Sequence, residues 1–445
     1  MQQPYNESSP KAKRINHLIN HGDDSRLDPY YWLNERDHPD VIEYLNEENE
    51  YADRYFVRYK DTEETIYQEI CSRIPPTDES APYFKNNYWY LRKFEPNKEY
   101  PSYWRHFNSL ASEPSLVLDA NELAEGHEYF HLGNLEISPD NRYLAVCIDT
   151  RSRRIYNILV RDLLTGEWLP DRITNAGTSL EWSSCSRFLY YTTKDDTLRE
   201  DKVFKHTLHS DTAEDALIFE EPDKAFYVHL SKTKSEKFIL IESESSLESE
   251  MWYFDSGSIE ITPKLFQSRR DKLEYQAEHK PGGWIIRTNL VGPNFSLMQC
   301  PEDSTGTENW KELVAHKKDA LIEDFEVFEN NISICERSGG NVKIKILSHD
   351  GISYYLTFGE EVYAAGFYFN AQFATHDLYI SFSSPKTPAT VFKFDLATRE
   401  SQIFWRQRIR GGFDPDSYIT ERTEAMTDDG TLVPVSIVYK ANLNR

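Results

Sequence analysis

The chain has 445 residues, of which 39% are hydrophobic and 14% aromatic, and its formal net charge is −24. This composition excludes a largely disordered protein, and the length predicts one large repeat domain or two to three smaller domains. The acidic balance argues against nucleic acid as a partner. Solubility is the simplest explanation of the charge, and short basic peptides are the expected partners if the charge has a functional role. No stretch is long and apolar enough to span a membrane, so we expect no membrane partner.

The N-terminus and the cysteines indicate the cellular compartment. Residues 1–13 are polar and lack the apolar centre of a secretory signal. The five cysteines are odd in number and form no C-x-x-C pair, which favours reduced thiols over disulfides or a zinc site. The sequence therefore predicts a cytoplasmic protein.

Residues 1–78 are predicted to be a helical segment after a polar lead. One helix is expected over Asp40–Phe56 and a second over Glu63–Ile74, where Pro75 and Pro76 end it. The second helix carries an apolar stripe at intervals of four residues, made of Ile66, Ile70 and Ile74. Such a stripe needs a partner surface.

Residues 79–408 consist of short alternating strand patterns that repeat. A serine follows a strand pattern at Ser138, Ser183 and Ser231, which gives a period of 45 to 48 residues. A period of this size with several short strands is typical of a β-propeller blade, and the span holds about seven blades. We place them near 81–125, 129–175, 177–223, 225–270, 272–318, 320–361 and 363–405. A double β-sandwich is the alternative, but it would not predict so regular a period.

Residues 409–445 begin at a flexible Gly411-Gly412 joint and then predict a β-hairpin. Its strands are expected over 419–426 and 433–439, around the turn Asp428-Asp429-Gly430. A lone hairpin is marginally stable in water, so we expect it to belong to a sheet whose other strands lie outside this sequence.

Several segments resemble the prolyl oligopeptidase family of serine peptidases, and in particular oligopeptidase B. The segments, in chain order, are Asp28-Pro29-Tyr30-Tyr31-Trp32-Leu33, Arg73-Ile74-Pro75-Pro76, Ser80-Ala81-Pro82-Tyr83, Ser152-Arg153-Arg154-Ile155-Tyr156, Arg269-Arg270-Asp271-Lys272-Leu273-Glu274-Tyr275 and Asp429-Gly430-Thr431-Leu432-Val433-Pro434-Val435-Ser436-Ile437-Val438-Tyr439. The resemblance extends over essentially the whole chain.

The resemblance implies a mainly β fold in which a seven-bladed β-propeller is inserted into an α/β-hydrolase domain. Residues 1–78 would pack on that hydrolase domain, and residues 409–445 would be the first hairpin of a domain that is incomplete here. It also implies an endopeptidase that cleaves short peptides after Arg or Lys, with the propeller limiting substrate size. The sequence contains no G-x-S-x-G elbow, so we expect no catalytic residue in this chain and no activity from it alone. The alternative is a stand-alone propeller that serves as a binding scaffold.

Three residues are candidates for substrate or inter-domain contact. Arg153 and Arg154 could bind a peptide carboxylate or an acidic group of the hydrolase domain, and if their segment is a strand only one would face the cleft. Glu128 resembles an acidic residue near the family's domain hinge. It also lies in His127-Glu128-Tyr129-Phe130-His131, which satisfies the H-E-x-x-H zinc pattern. That chemistry needs a helix, whereas this segment has loop character, so we expect neither a metal site nor a cofactor.

Overall fold

The computed structural model describes residues 8–443, which divide into two compact units at the Pro75–Pro76 bond. The first seven residues of the predicted N-terminal segment and the last two of the predicted hairpin region lie outside the described residues. The fold is mainly β, as predicted.

The first unit begins with a hairpin of β1 (His17–His21) and β2 (Asp24–Asp28), followed by α1 (Pro39–Phe56) and α2 (Lys60–Arg73). Both helices lie where the sequence predicts them. The expectation of a purely helical segment is wrong for residues 17–28, because Gly22 takes a positive φ of 59° and closes a tight turn between two short strands. No periodic pattern marks strands this short.

The apolar stripe of α2 is exposed within its unit. Ile66 is 51% exposed and Ile70 is 53% exposed. At the start of α1, Pro39 occupies the first turn and the His38 Nδ1 atom accepts a hydrogen bond from the Asp40 amide at 3.2 Å. Local sequence signals thus account for the helices, whereas the apolar face of α2 still needs a surface to pack against.

The second unit begins with a five-stranded sheet and a seven-stranded sheet, separated by the short helix α3 (Ala120–Ala124). The five-stranded sheet contains β3 (Asp78–Glu79), β4 (Tyr83–Lys85), β5 (Tyr88–Phe94), β6 (Ser102–Phe107) and β7 (Pro114–Asp119). The seven-stranded sheet contains β8 (His131–Ile137), β9 (Tyr143–Asp149), β10 (Tyr156–Asp162), β11 (Trp168–Trp182), β12 (Phe188–Lys194), β13 (Glu200–Thr207) and β14 (Ala216–Glu220).

Four antiparallel sheets of four strands follow. The first contains β15 (Tyr227–Lys232), β16 (Phe238–Glu244), β17 (Ser249–Asp255) and β18 (Lys264–Gln267). The second contains β19 (Tyr275–Lys280), β20 (Gly283–Thr288), β21 (Ser296–Pro301) and β22 (Lys311–Val314). The third contains β23 (Leu321–Val327), β24 (Asn331–Ser338), β25 (Asn341–Ser348) and β26 (Ser353–Tyr355). The fourth contains β27 (Ala364–Phe367), β28 (Asp377–Ser383), β29 (Thr390–Asp395) and β30 (Ser401–Arg406).

The architecture is a β-propeller, but the predicted count of seven separate blades is wrong. Five sheets have the form of separate blades, whereas residues 131–220, where the sequence predicts two blades, form one seven-stranded sheet. The reason is β11, a continuous strand of 15 residues. It pairs with β10 through Ala176 and with β12 from Ala176 onward, so no loop separates the two halves.

A repeated turn links the first two strands of successive repeats. Asn141, Ser186 and Glu236 each adopt a positive φ, of 62°, 58° and 62°, as the fourth residue of this turn. The amide of the first residue donates to the carbonyl of the residue five positions later, and the side-chain oxygen of the first residue accepts from the amide of that later residue. The pairs are Ser138 with Tyr143, Ser183 with Phe188, and Thr233 with Phe238. The third member is therefore Thr233 and not the predicted Ser231.

Buried side chains fill the spaces between neighbouring sheets. Trp284 on β20 is fully buried at 0% exposure and packs with Phe238 and Tyr253 of the preceding sheet. Burial of aromatic rings between blades is how a propeller forms its core. The chain ends in a separate hairpin of β31 (Tyr418–Met426) and β32 (Leu432–Lys440), which agrees with the predicted hairpin.

Candidate functional site

The first strands of the sheets converge on a common axis. Lys234, just after β15, makes an ion pair with Glu326 on β23, although the sheet of β19–β22 lies between these strands in the order of the chain. The Lys234 amide also donates to Glu278 Oε1 of that intervening sheet at 3.0 Å. Three successive sheets can share such contacts only where their inner edges meet.

Charged side chains surround this axis. We call them the axial charged ring, which comprises Lys85, Glu136, Glu181, Lys232, Lys234, Glu236, Glu278 and Glu326. Most of them line a cavity of about 250 Å³. Lys85 Nζ lies 3.2 Å from Glu136 Oε2, which joins the first sheet to the second. Lys232 Nζ lies 3.3 Å from Glu236 Oε2. Five carboxylates thus face three ammonium groups.

The ring lies at one end of the axis. Lys85 and Lys232 are the last residues of β4 and β15, and Glu326 is the second-last residue of β23. In a four-stranded antiparallel sheet, the first strand begins and the fourth strand ends at the same end of the sheet. The ring is therefore at the end opposite to the one where the chain enters at Asp78 and leaves at Arg406.

Burial alters the titration of the ring. It raises the pKa of Glu181 to about 8 and the pKa of Glu278 to about 7. Burial also opposes the charged form of Lys85, but the carboxylates of Glu136, Glu181 and Glu236 outweigh it and the Lys85 pKa is raised. The ring therefore changes its charge near neutral pH by protonation of carboxylates.

The predicted contact residues Arg153 and Arg154 lie in the exposed loop between β9 and β10 and not in a strand. Asp149, which is 1% exposed, holds this loop. Its carboxylate accepts hydrogen bonds from the amides of Arg151 at 2.8 Å, Arg153 at 2.9 Å and Arg154 at 2.7 Å. Arg154 has a positive φ of 55°, so the strand alternation considered for these side chains does not apply.

Glu128 is exposed in the irregular segment between α3 and β8. The H-E-x-x-H pattern lacks the helix that zinc chemistry needs, because α3 ends at Ala124 and His131 is already the first residue of β8. His131 Nδ1 instead lies 3.1 Å from the Tyr156 hydroxyl. Glu128 is not a member of the axial charged ring, and nor are Arg153 and Arg154; their contact roles remain predictions.

Two negative findings apply to residues 8–443. Within this range, no group of three or more His, Cys, Asp or Glu side chains is arranged to hold a metal ion. In the same residues, no helix has the length and apolar character required to cross a membrane.

Sequence reasoning missed the axial charged ring, although one signal was present. Glu136 and Glu181 stand two positions before Ser138 and Ser183, at the same place in two repeats. A charged residue at a strand end is usually solvated, so only the convergence of the strands reveals its burial.

Comparison with known proteins agrees with this architecture. Residues 10–407 match the family described as the prolyl oligopeptidase N-terminal β-propeller domain. The chain belongs to the prolyl oligopeptidase family. It is 36% identical to dipeptidyl aminopeptidase BI of Pseudoxanthomonas mexicana over 98% of its own length, and 32% identical to protease 2 of Moraxella lacunata over 97%. Oligopeptidase B from Trypanosoma brucei, solved in a closed form with covalently bound antipain, has a similar structure, with a TM-score of 0.90 and 26% identity over 98% of this chain.

The family members are longer than this chain. The chain covers 63% of the length of dipeptidyl aminopeptidase BI and 63% of protease 2. It covers 66% of the Trypanosoma brucei structure. The comparisons therefore show the family and the propeller domain of this chain.

Proposed function

We propose that this chain is the substrate-admitting part of an oligopeptidase B-like serine endopeptidase that cleaves short peptides after Arg or Lys. Membership of the prolyl oligopeptidase family carries the proposal, since the match spans residues 10–407. The similarity to protease 2 at 32% identity and to the oligopeptidase B structure supports the choice within the family.

The axial charged ring supports a role in limiting substrate size. It brings side chains of successive sheets into contact at one end of the axis, around a cavity of only about 250 Å³. Charged side chains that meet at this end of the axis would exclude a folded protein. Short basic peptides are the proposed substrates, which is consistent with the net charge of −24.

The remaining partner is the rest of a hydrolase domain. The exposed apolar residues Ile66 and Ile70 of α2 and the two-stranded sheet of β31 and β32 both need packing partners. A catalytic serine, aspartate and histidine would belong to that domain, because this sequence contains no G-x-S-x-G elbow.

A chimera tests the proposal. The chain would be joined to the C-terminal part of protease 2 from Moraxella lacunata that it does not cover, and the chain alone would serve as the control. We expect the chimera to cleave an N-blocked arginyl reporter peptide and a serine-reactive reagent to inhibit this cleavage. We expect the chimera to leave a folded protein that contains arginine intact. We expect no cleavage by the chain alone. Equal cleavage of arginyl and leucyl reporters, or digestion of the folded protein, would refute the specificity or the size limit.

A second candidate function rests on the 36% identity to dipeptidyl aminopeptidase BI. An enzyme of that kind needs a free α-amino group on its substrate, whereas an endopeptidase does not. The same chimera should therefore be assayed with an arginyl reporter whose N-terminus is either blocked or free. Cleavage confined to the free form would favour the second candidate.

A further inference from the structure

A cavity of about 570 Å³ lies in the second unit, between the five-stranded sheet and the sheet of β27–β30. We call it the seam cavity. Its walls are mostly aromatic and apolar, and the residues that line it are Ser80, Tyr83, Tyr90, Leu91, Arg92, Tyr103, Trp104, Val117, Leu135, Phe367, Tyr368 and Phe369. This size and character are typical of sites for small organic ligands.

Arg92 is the one charged residue among the described residues that line this cavity. Its main chain is fixed, because its amide donates to Ser80 Oγ at 3.1 Å and its carbonyl accepts from the Ser80 amide at 3.0 Å. The guanidinium has no ion pair or hydrogen bond with any residue in the range 8–443. Arg92 is an exposed residue, and its unpaired guanidinium beside apolar walls is a ready partner for an anion.

Two phenols lie close to that guanidinium. Burial raises the pKa of Tyr103 and of Tyr368, and the positive charge of Arg92 opposes the rise in both. The Tyr368 hydroxyl donates to the Ala81 carbonyl at 2.6 Å. The Tyr103 hydroxyl has no hydrogen-bond partner among residues 8–443, so it can donate to a second oxygen of the same anion.

The walls provide a place for a planar apolar group. Tyr83 and Phe369 face each other across the seam with ring centroids 4.2 Å apart, and Phe369 is 48% exposed. Aromatic faces favour stacking with another aromatic ring, and Phe369 is exposed enough to contact one.

We propose that the seam cavity binds a small aromatic monocarboxylate, with the carboxylate on Arg92 and Tyr103 and the ring against Tyr83 and Phe369. Such a ligand contacts both sheets and tightens the seam between them. Phe369 also lines the cavity of the axial charged ring, so the two cavities adjoin, but the proposed site does not depend on the proposed peptidase function.

The test uses the complete 445-residue chain and two matched probes, 1-naphthylacetate and its neutral analogue 1-naphthylacetamide. The dissociation constant of each is measured by ligand-observed NMR, and the Tm is measured with and without the probe. We expect saturable binding of the acid with a rise in Tm, and binding of the amide that is weaker by about tenfold or more.

Variants locate the site. Arg92→Gln should weaken binding of the acid by about tenfold or more, and Tyr103→Phe should weaken it to a smaller extent. Arg172→Gln removes an exposed arginine elsewhere in the propeller and should leave the dissociation constant unchanged. The proposal is overturned if the acid shows no saturable binding, if acid and amide bind equally, or if folded Arg92→Gln binds as the unaltered chain does. Should Arg92→Gln fail to fold, the probe pair and Tyr103→Phe still decide the question.

Discussion

His206 on β13 is the centre of a buried ion-pair cluster whose loss should destabilise the seven-stranded sheet. Its side chain is 0% exposed, and its two ring nitrogens lie 2.7 Å from Asp215 Oδ1 and 2.9 Å from Asp171 Oδ1. Tyr191 donates to the other oxygen of Asp215 at 2.8 Å. Because Asp171 lies on the first half of β11, the cluster joins the two halves of this sheet.

Burial alone would lower the pKa of His206, but hydrogen bonds to Asp215 and Asp171 outweigh it and raise the pKa above 6.5. The folded state therefore holds more protons than the unfolded state between pH 6.5 and the raised pKa. The stabilisation is complete below about pH 6.5 and is lost as the pH rises through the folded-state value, by up to about 1.4 kcal/mol per pH unit.

His206→Asn leaves two buried carboxylates without a cationic partner, and breaking a buried pair in this way typically costs about 3–5 kcal/mol. We expect a loss of this size at pH 6 in the free energy of urea unfolding, and a smaller fall in stability above pH 6.5 than in the unaltered chain. His209→Asn is the matched control, because the His209 side chain is 57% exposed and lies 3.9 Å from Asp171. A cost below about 1 kcal/mol for His206→Asn, or an equal cost for His209→Asn, would refute the assignment.

Three further predictions concern other parts of the propeller. Asp149→Ala should release the loop 151–154, which we expect to appear as faster trypsin cleavage after its arginines and a loss of about 1.5–3 kcal/mol in unfolding free energy; an unchanged cleavage rate would contradict this. Gly283→Ala should cost about 2 kcal/mol or more, because an added Cβ would lie 2.3 Å from the Cys300 carbonyl oxygen; an unchanged Tm would count against it. Glu181→Gln should raise the Tm at pH 9 but not at pH 4. Burial raises the pKa of Glu181 to about 8, so above that pH the wild-type side chain carries an unfavourable buried charge, which glutamine lacks. A variant that is less stable at pH 9 would show that the charge is needed.

The sequence predicted those elements whose signals are local. The two helices, the terminal hairpin and the repeated strands of the propeller follow from residue periodicity and from turn residues, and the structure has them within a few residues of the predicted bounds. The hairpin over 17–28 was missed because its strands are too short to show alternation. The repeat at Thr233 was misplaced by two residues because Ser231 mimics the turn residue, and only the hydrogen bond to Phe238 distinguishes the two.

The features that depend on distant residues could not be predicted in this way. Nothing in the sequence indicates that Lys234 meets Glu326, which is 92 positions away. Nothing in the sequence indicates that Phe369 remains 48% exposed and lines the same cavity as Arg92. Burial of a charged or aromatic side chain is a property of the assembled sheets, so the axial charged ring and the seam cavity emerge only in three dimensions.

The continuity of β11 limits where the chain can receive a new terminus or an inserted domain. Most neighbouring sheets are joined by irregular segments, such as 221–226 and 268–274, where a new terminus or an inserted domain would interrupt no strand. No irregular segment separates the two halves of the seven-stranded sheet around Ala176, because the single strand β11 pairs with β10 in one half and with β12 in the other. A new terminus or an inserted domain near Ala176 should therefore disrupt the seven-stranded sheet.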